Sequence, residues 1–329
     1  MATQAIRRLV LGALASLLAA GTAQAADHVK ISFVVPTVQY GPLLVGLEKG
    51  YFTEQGLDIE LVQAGGGVAT PALIAGDLQF SGSPSVAISA DLKGAHLKAI
   101  FVGSDHSAFQ LWVQPKIKTL EDLKGQQIGI ISRGDTTEIG MRYILAKRNL
   151  PADFVAFTPL GTGTARVAAI SSGSFPGALI DAGDVKNMRD AGKIGKLHML
   201  IDMAKEVRMT FGGFATSDAM IADHPDIVRR VVLAFVMGQR ATRASRADTI
   251  AALVKHGSTE AAAGEDYDVN EPNLSTTAVT SDADQAFELK LRADMLGVDD
   301  SKIPPRSYFF DFSFVKEAAA KLKAEGWKP

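Results

Sequence analysis

Hydrophobic and polar positions along this chain switch repeatedly between a period of two and a period near 3.6. Residues 30–35 (KISFVV) read as a first strand, and Leu57–Gln63 (LDIELVQ) alternates as a second. Between them a polar break at 36–41 leads into a helical run over 42–49. Gly65, Gly66 and Gly67 open a helix that runs through Ile74 and stops at Gly76, and a short strand follows at 78–81. Ser83-Pro84-Ser85 starts the next helix, with proline at a favoured first-turn position, and 96–102 is a further strand. Phe109–Val113 reads as a strand with a break at Gln114-Pro115. Thr119 caps a short helix that Gly125 ends. Strands at 127–131, 154–158 and 177–180 then alternate with helices at 135–147 and 164–171, the former carrying Ile139, Tyr143 and Ile144 on one face. Such short alternation predicts βαβ units and a largely parallel sheet, an α/β protein.

The alternation restarts after Pro115, and one internal echo suggests two similar lobes. Ala72-Leu73-Ile74-Ala75-Gly76 precedes the strand ending at Ser81, as Ala169-Ile170-Ser171-Ser172-Gly173 precedes the strand ending at Ile180. After Phe214 the pattern turns helical. His224-Pro225 starts a long stretch through Arg243 with Ile227, Val231, Phe235 and Met237 among its apolar positions, and further helical patterns lie at 249–255, 283–295 and 314–323. A polar, irregular stretch over 264–281 interrupts them, and this C-terminal third is expected to cover the first lobe.

The first residues carry a different signal. Arg7 and Arg8 precede an apolar run over 9–20, and Ala23-Gln24-Ala25 is a small-x-small cleavage site. Residues 1–25 therefore read as a secretory signal peptide, with an apolar run too short for a permanent span, and the mature chain as soluble and exported. A lipid anchor would need a cysteine after the cleavage site, and the 329-residue sequence has none. Zero cysteines also means no disulfides, so stability must come from burial. Losing Arg7 and Arg8 takes the formal charge from -2 to -4, and this mild acidity without a basic stripe argues against nucleic acid and anionic membrane as partners.

The segments Gly46-Leu47-Glu48-Lys49-Gly50-Tyr51-Phe52-Thr53-Glu54-Gln55-Gly56-Leu57, Leu73-Ile74-Ala75-Gly76-Asp77-Leu78-Gln79-Phe80, Leu120-Glu121-Asp122-Leu123-Lys124-Gly125-Gln126-Gln127-Ile128-Gly129 and His224-Pro225-Asp226-Ile227-Val228 give the chain its family likeness. It resembles the periplasmic substrate-binding proteins of ABC importers for sulfonates, taurine and nitrate, a family that also includes thiamine-precursor binders. The resemblance implies a two-lobed type II periplasmic binding fold, each lobe a mostly parallel sheet flanked by helices. Lobe I would combine 26–115 with 212–329, lobe II would span 116–211, and two crossing segments near Val113-Gln114 and Gly212-Gly213 would form the hinge. It further implies a monomer that passes its solute to an inner-membrane permease driven by a separate ATPase chain.

In open α/β sheets ligands collect at the carboxyl ends of strands, beside helix N-termini with unpaired N–H groups. Four turns meet that description: Gln39-Tyr40-Gly41, Gly65-Gly66-Gly67, Ser81-Gly82-Ser83-Pro84-Ser85, and Ser132-Arg133-Gly134-Asp135-Thr136-Thr137. Gly and hydroxyl residues there let a ligand approach the backbone and donate O–H groups. Candidate ligand contacts are thus Gln39, Tyr40, Gly41, Gly66, Ser83, Ser85, Ser132, Thr136 and Thr137. Arg133 could pair with an acidic group or be a solvated loop charge. Asp181, after the strand at 178–180, could accept from a ligand amine or hydroxyl, or cap the following helix. Arg166, inside a helix, reads as surface, and Trp112 as core. The sequence holds no phosphate-binding loop, no nucleophile elbow and no paired histidines at metal-ligand spacing, so neither cofactor nor metal is expected. The expected function is capture of a small polar or anionic organic solute. The alternatives are a thiamine-pyrimidine-type biosynthetic enzyme on the same fold, which the export signal opposes, and a ligand-presenting sensor.

Overall fold

The computed structural model describes residues 26–329 apart from 108, 182–183, 186–187, 190–191 and 193; the expected signal peptide lies outside the described residues. The strands are β1 (Asp27–Phe33), β2 (Leu57–Gln63), β3 (Phe80–Ser81), β4 (Leu97–His106), β5 (Phe109–Val113), β6 (Gln127–Ile130), β7 (Ala156–Pro159), β8 (Gly177–Asp181), β9 (His198–Asp202) and β10 (Arg208–Ser217). They form two five-stranded sheets with orders β2-β1-β3-β10-β4 and β7-β6-β8-β5-β9. In the first, β1 pairs parallel with β2 and β3, while β10 runs antiparallel to β3 and β4. In the second, β6 pairs parallel with β7 and β8, while β5 runs antiparallel to β8 and β9. The two orders are the same pattern, with one antiparallel strand inserted at the same place. β3 and β8 occupy equivalent positions, so the internal echo marks equivalent helix-to-strand units.

The helices are α1 (Gly41–Glu48), α2 (Tyr51–Glu54), α3 (Gly66–Ala75), α4 (Pro84–Asp91), α5 (Thr136–Lys147), α6 (Gly163–Ser171), α7 (Met203–Glu206), α8 (Asp218–Asp223), α9 (Pro225–Ala244), α10 (Arg246–Lys255), α11 (Glu260–Asn270), α12 (Asp282–Leu296) and α13 (Ser313–Ala324). Helix α9 starts with Pro225 in its first turn and buries Val228, Val231, Val232 and Phe235. Phe235 stacks on Phe214 of β10 with centroids 3.9 Å apart, and Phe52, Phe80 and Phe101 close around it. A Cβ on Gly238 would lie 2.1 Å from the Pro42 carbonyl, so α1 and α9 meet backbone to backbone. The second sheet has its own core, which includes Leu111, Ile128, Ile139, Ile144 and Leu179.

Three expectations change. The strand Phe109–Val113 pairs with β8 and β9, so it belongs to the second sheet and not to 26–115 of the first. Local hydrophobic pattern identifies a strand but not its sheet. The chain therefore leaves the first sheet between β4 and β5, ahead of Val113-Gln114. Gly212-Gly213, expected at the second crossing, sit inside β10 of the first sheet, where pairing with β4 shifts register on either side of Gly212. The supposedly irregular 264–281 begins with helix, since α11 runs to Asn270 with Thr259 accepting from Ala262 N–H as its cap.

Helix α12 spans the two cores. Leu289 packs with Ile88 and Phe309 on the first sheet. Leu291 joins the core of the second, and Phe287 meets Tyr143 edge to face at 4.6 Å. Between these faces the fully buried Arg292 pairs with Glu288 at 2.6 Å.

Candidate functional site

A cleft of about 700 Å³ lies where the carboxyl ends of the two sheets face one another. The first sheet contributes Val34 and Val35 beyond β1, residues Thr37 to Tyr40, Gly65 to Gly67 beyond β2, and Gly82, Ser83 and Ser85 beyond β3. The second contributes Ile131, Ser132, Asp135 and Thr136 beyond β6, Asp181 and Asp184 at the end of β8, Phe109, and Arg166 from α6. Helix α11 and the turn after it add Glu265, Asp266, Asn270, Asn273 and Leu274.

Of the residues singled out from sequence, Gln39, Tyr40, Gly66, Ser83, Ser85, Ser132, Thr136 and Asp181 come together on this cleft. Tyr40 lines the cleft as a buried core residue and not as an exposed ligand contact. Its ring meets Phe33 and Phe214, its hydroxyl donates to the Gly82 carbonyl at 3.0 Å, and burial pushes its ionisation up. Gly66 is required for packing, because a Cβ there would lie 2.6 Å from Val86. Ser85 Oγ accepts from Arg292 Nη2 at 2.7 Å, which leaves its O–H to donate.

Gly41, Arg133 and Thr137 are placed elsewhere. A Cβ on Gly41 would strike Thr242 of α9, so this glycine serves the α1–α9 contact. Arg133 is 60% exposed and reaches back to Glu138 at 3.4 Å, because that buried carboxylate lies on the next helical turn. Thr137 is fully buried. Its hydroxyl donates to Asp135 at 2.6 Å and accepts from Ile131 N–H at 3.1 Å, which closes the turn internally.

Arg166 is the main departure from the surface reading: it is 3% exposed. Its guanidinium donates to the carbonyls of Leu179 and Gly161, and Nη2 stands 4.0 Å from Asp184. Burial lowers its pKa, while Asp184, Asp135 and Asp181 oppose that shift. Three carboxylates on the cleft are pushed above the usual range by burial. Asp135 is the N-cap of α5, accepting from the N–H groups of Thr137 and Glu138, and these bonds partly offset the shift. Asp184 is offset by Arg166, and Asp266 by the Val38 N–H and by Asn270 Nδ2 at 2.9 Å. Asp184 also lies over the start of α6, where a Cβ on Gly163 would fall on its carboxylate.

The acids of α11 had no signal in the sequence, since helix and cleft are joined only by tertiary contact. Asp184 had none either. Asp135 stood at the expected start of a helix, and the structure makes it the cap of α5. No group of His, Asp or Glu among the described residues is arranged to hold a metal ion, and no described helix is long and apolar enough to cross a membrane.

Two sheets of one topology facing each other across a cleft define a periplasmic binding protein fold, and solved structures share it. A protein of Bordetella bronchiseptica superposes with a TM-score of 0.72 at 23% identity, over 90% of this chain and 98% of that one. The periplasmic sulfonate-binding protein SsuA of Methylobacillus flagellatus gives 0.70 at 18% identity, over 93% and 97%. The desulfurization enzyme DszB with biphenyl-2-sulfinic acid gives 0.61 at 14% identity, over 90% and 99%. By sequence, residues 37–246 match the NMT1/THI5-like family model, and the chain belongs to that family. No curated relative matches it.

Proposed function

We propose that this protein is the solute-binding component of an ABC importer, exported to the periplasm, which captures a small polar organic solute between its lobes. It would act as a monomer and deliver the solute to an inner-membrane permease whose ATPase is a separate chain. The observation that carries this reading is the cleft itself. Hydroxyls, amide groups and carboxylates from both sheets converge on one volume of about 700 Å³, the size of a small-molecule site. Closure would turn on the β4–β10 ribbon, whose pairing shifts register around Gly212, and this irregularity supports the reading. The fold also carries an enzyme, DszB, but the described lining of this cleft pairs its serines with no histidine, cysteine or lysine that could activate them. The SsuA likeness supports the transport role more than the identity of the solute, since 18% identity speaks for the fold.

The test is denaturing release of small molecules from periplasmic protein, identified by mass spectrometry, then small-angle scattering with and without the released compound. A smaller radius of gyration with it is expected. A released compound that the protein converts would replace the binding reading with an enzymatic one, and an unchanged scattering profile at saturation would remove lobe closure.

A further inference from the structure

We infer that Arg292, which lies outside the cleft, is a positioning residue for solute binding: it commits the Ser85 hydroxyl to donating, so that the solute places an acceptor oxygen at the start of α4. This rests on the reading of the cleft as the solute site. Ser85 lines the cleft and is 4% exposed, and its Oγ accepts from Arg292 Nη2 at 2.7 Å. A guanidinium has no acceptor to offer in return. The serine proton is therefore turned away from Arg292, and no described group accepts it.

Arg292 is held in this orientation from several sides. Its Nη1 donates to the Ser85 carbonyl at 2.8 Å and to Ser89 Oγ at 2.7 Å, while Nε and Nη2 both reach Glu288 Oε1. The other Glu288 oxygen accepts from Thr210 N–H of β10 at 2.9 Å. The guanidinium is thus fixed by α4, by α12 and, through Glu288, by the first sheet. A buried ion pair gains little over apolar packing of the same volume, so stability alone does not account for this one. A charged donor also polarises the hydroxyl it binds, which strengthens the onward O–H bond.

An independent observation is that α4 starts uncapped. Ser83 holds the N-cap position, but its side chain makes no cap bond, and Pro84 in the first turn has no N–H. Neither the Ser85 N–H nor the Ser83 hydroxyl has a partner among the described residues. Across the cleft the start of α5 is closed by its own Asp135. Unused donors therefore gather on one turn, at Ser83 and Ser85, and an acceptor oxygen such as that of a carboxylate is the group that meets them.

The test has two arms on the full mature protein. The chain has no cysteine, so Ser85→Cys introduces a single thiol, whose ionisation is read from the rate of alkylation by iodoacetamide against pH. With Arg292 present the thiolate accepts from the guanidinium, and its midpoint should lie about one pH unit or more below that measured with Arg292→Met and Glu288→Gln added. Equal midpoints, or a thiol that the reagent does not reach in the folded protein, would overturn the inference. The second arm is calorimetry with benzoate, whose carboxylate supplies the acceptor and whose ring suits Phe109 and Phe211 of the lining. Ser85→Ala should weaken benzoate about tenfold, and Arg292→Met with Glu288→Gln should weaken it several-fold. Added to Ser85→Ala, that pair should change affinity less than about twofold, because Arg292 acts through Ser85, whereas in a merely structural role the losses would multiply. Multiplying losses, equal binding by Ser85→Ala and wild type, or no response to benzoate at millimolar concentration would overturn the inference. A copurified solute without an acceptor oxygen would overturn it while leaving the solute-site reading intact. Absence of any copurified solute, together with no benzoate binding, would remove both.

Discussion

Arg292→Met is the perturbation whose consequence the structure specifies most fully. The guanidinium is 1% exposed and donates to Glu288 Oε1, to the Ser85 carbonyl, to Ser85 Oγ and to Ser89 Oγ, at 2.6 to 3.0 Å. Glu288 is equally buried, and its second oxygen accepts from Thr210 N–H of β10 at 2.9 Å. Removing one member of a buried ion pair leaves the other charge without compensation, at a cost of ~3–5 kcal/mol. Glu288→Gln in the same chain removes that charge but keeps an acceptor for Thr210. The double variant should therefore be more stable than Arg292→Met alone by about 2 kcal/mol, and the remaining deficit, ~1–3 kcal/mol, reflects the unpaired Ser85 carbonyl. Urea denaturation measures this, followed by far-UV circular dichroism and by the fluorescence of Trp112 and Trp327. These tryptophans report on different cores, so coincident curves check that one transition is being read. Solute binding should weaken in both variants, because Ser85 loses the partner that orients its hydroxyl. A cost below about 1 kcal/mol for the single variant, or a double variant less stable than the single, would refute the reasoning.

Gly82→Ala should lower stability by ~1–3 kcal/mol, read as a fall in melting temperature, because its Cβ would lie 2.6 Å from the Ser32 carbonyl and 2.7 Å from the Tyr40 ring. Gly213→Ala should cost ~3 kcal/mol or more and disturb the lobe crossing, since its φ is +144° and a Cβ would lie 2.0 Å from the Phe101 carbonyl; chemical denaturation and scattering would show a wild-type profile if this is wrong. Asp135, Asp184 and Asp266 have folded pKa values raised by burial, so the native state binds more protons than the unfolded chain above the ordinary carboxylate range near 4. Their contribution to stability should fall as pH rises from there through the raised values, and a variant with Asp266→Asn should show a shallower fall in denaturation midpoint.

Much of the architecture was legible because parallel α/β units write their period into the sequence. The echo between 72–76 and 169–173 falls on equivalent units, α3–β3 and α6–β8, and the Ser83-Pro84 and Asp135 signals do start α4 and α5. What escaped was nonlocal. β5 and β10 are the antiparallel strands that tie each sheet to chain arriving from the other, and no residue pattern says which sheet such a strand joins. Helix α11 (EAAAGEDYDVN) was lost because its apolar stripe is mostly alanine, so its period is faint, although Thr259 caps it as a sequence reader would ask.

The site shows the same division in its charges. Turns and small residues at strand ends are local properties, and most of them did converge on the cleft. What occupies a helix N-terminus at the cleft is not local. Asp135 lies four residues beyond Ile131 and could be read as a cap, but Asp184 reaches α6 from beyond β8, and Asp266 reaches Val38 across 228 residues. Arg166 was taken for surface because its partners are the carbonyls of Gly161 and Leu179, which carry no side-chain signature. Each of these placements changes what a helix N-terminus offers a ligand. An N-terminus read alone attracts an anion, whereas one already holding an aspartate presents a carboxylate edge in its place. The chemistry of this cleft therefore follows from contacts made only after the chain has folded.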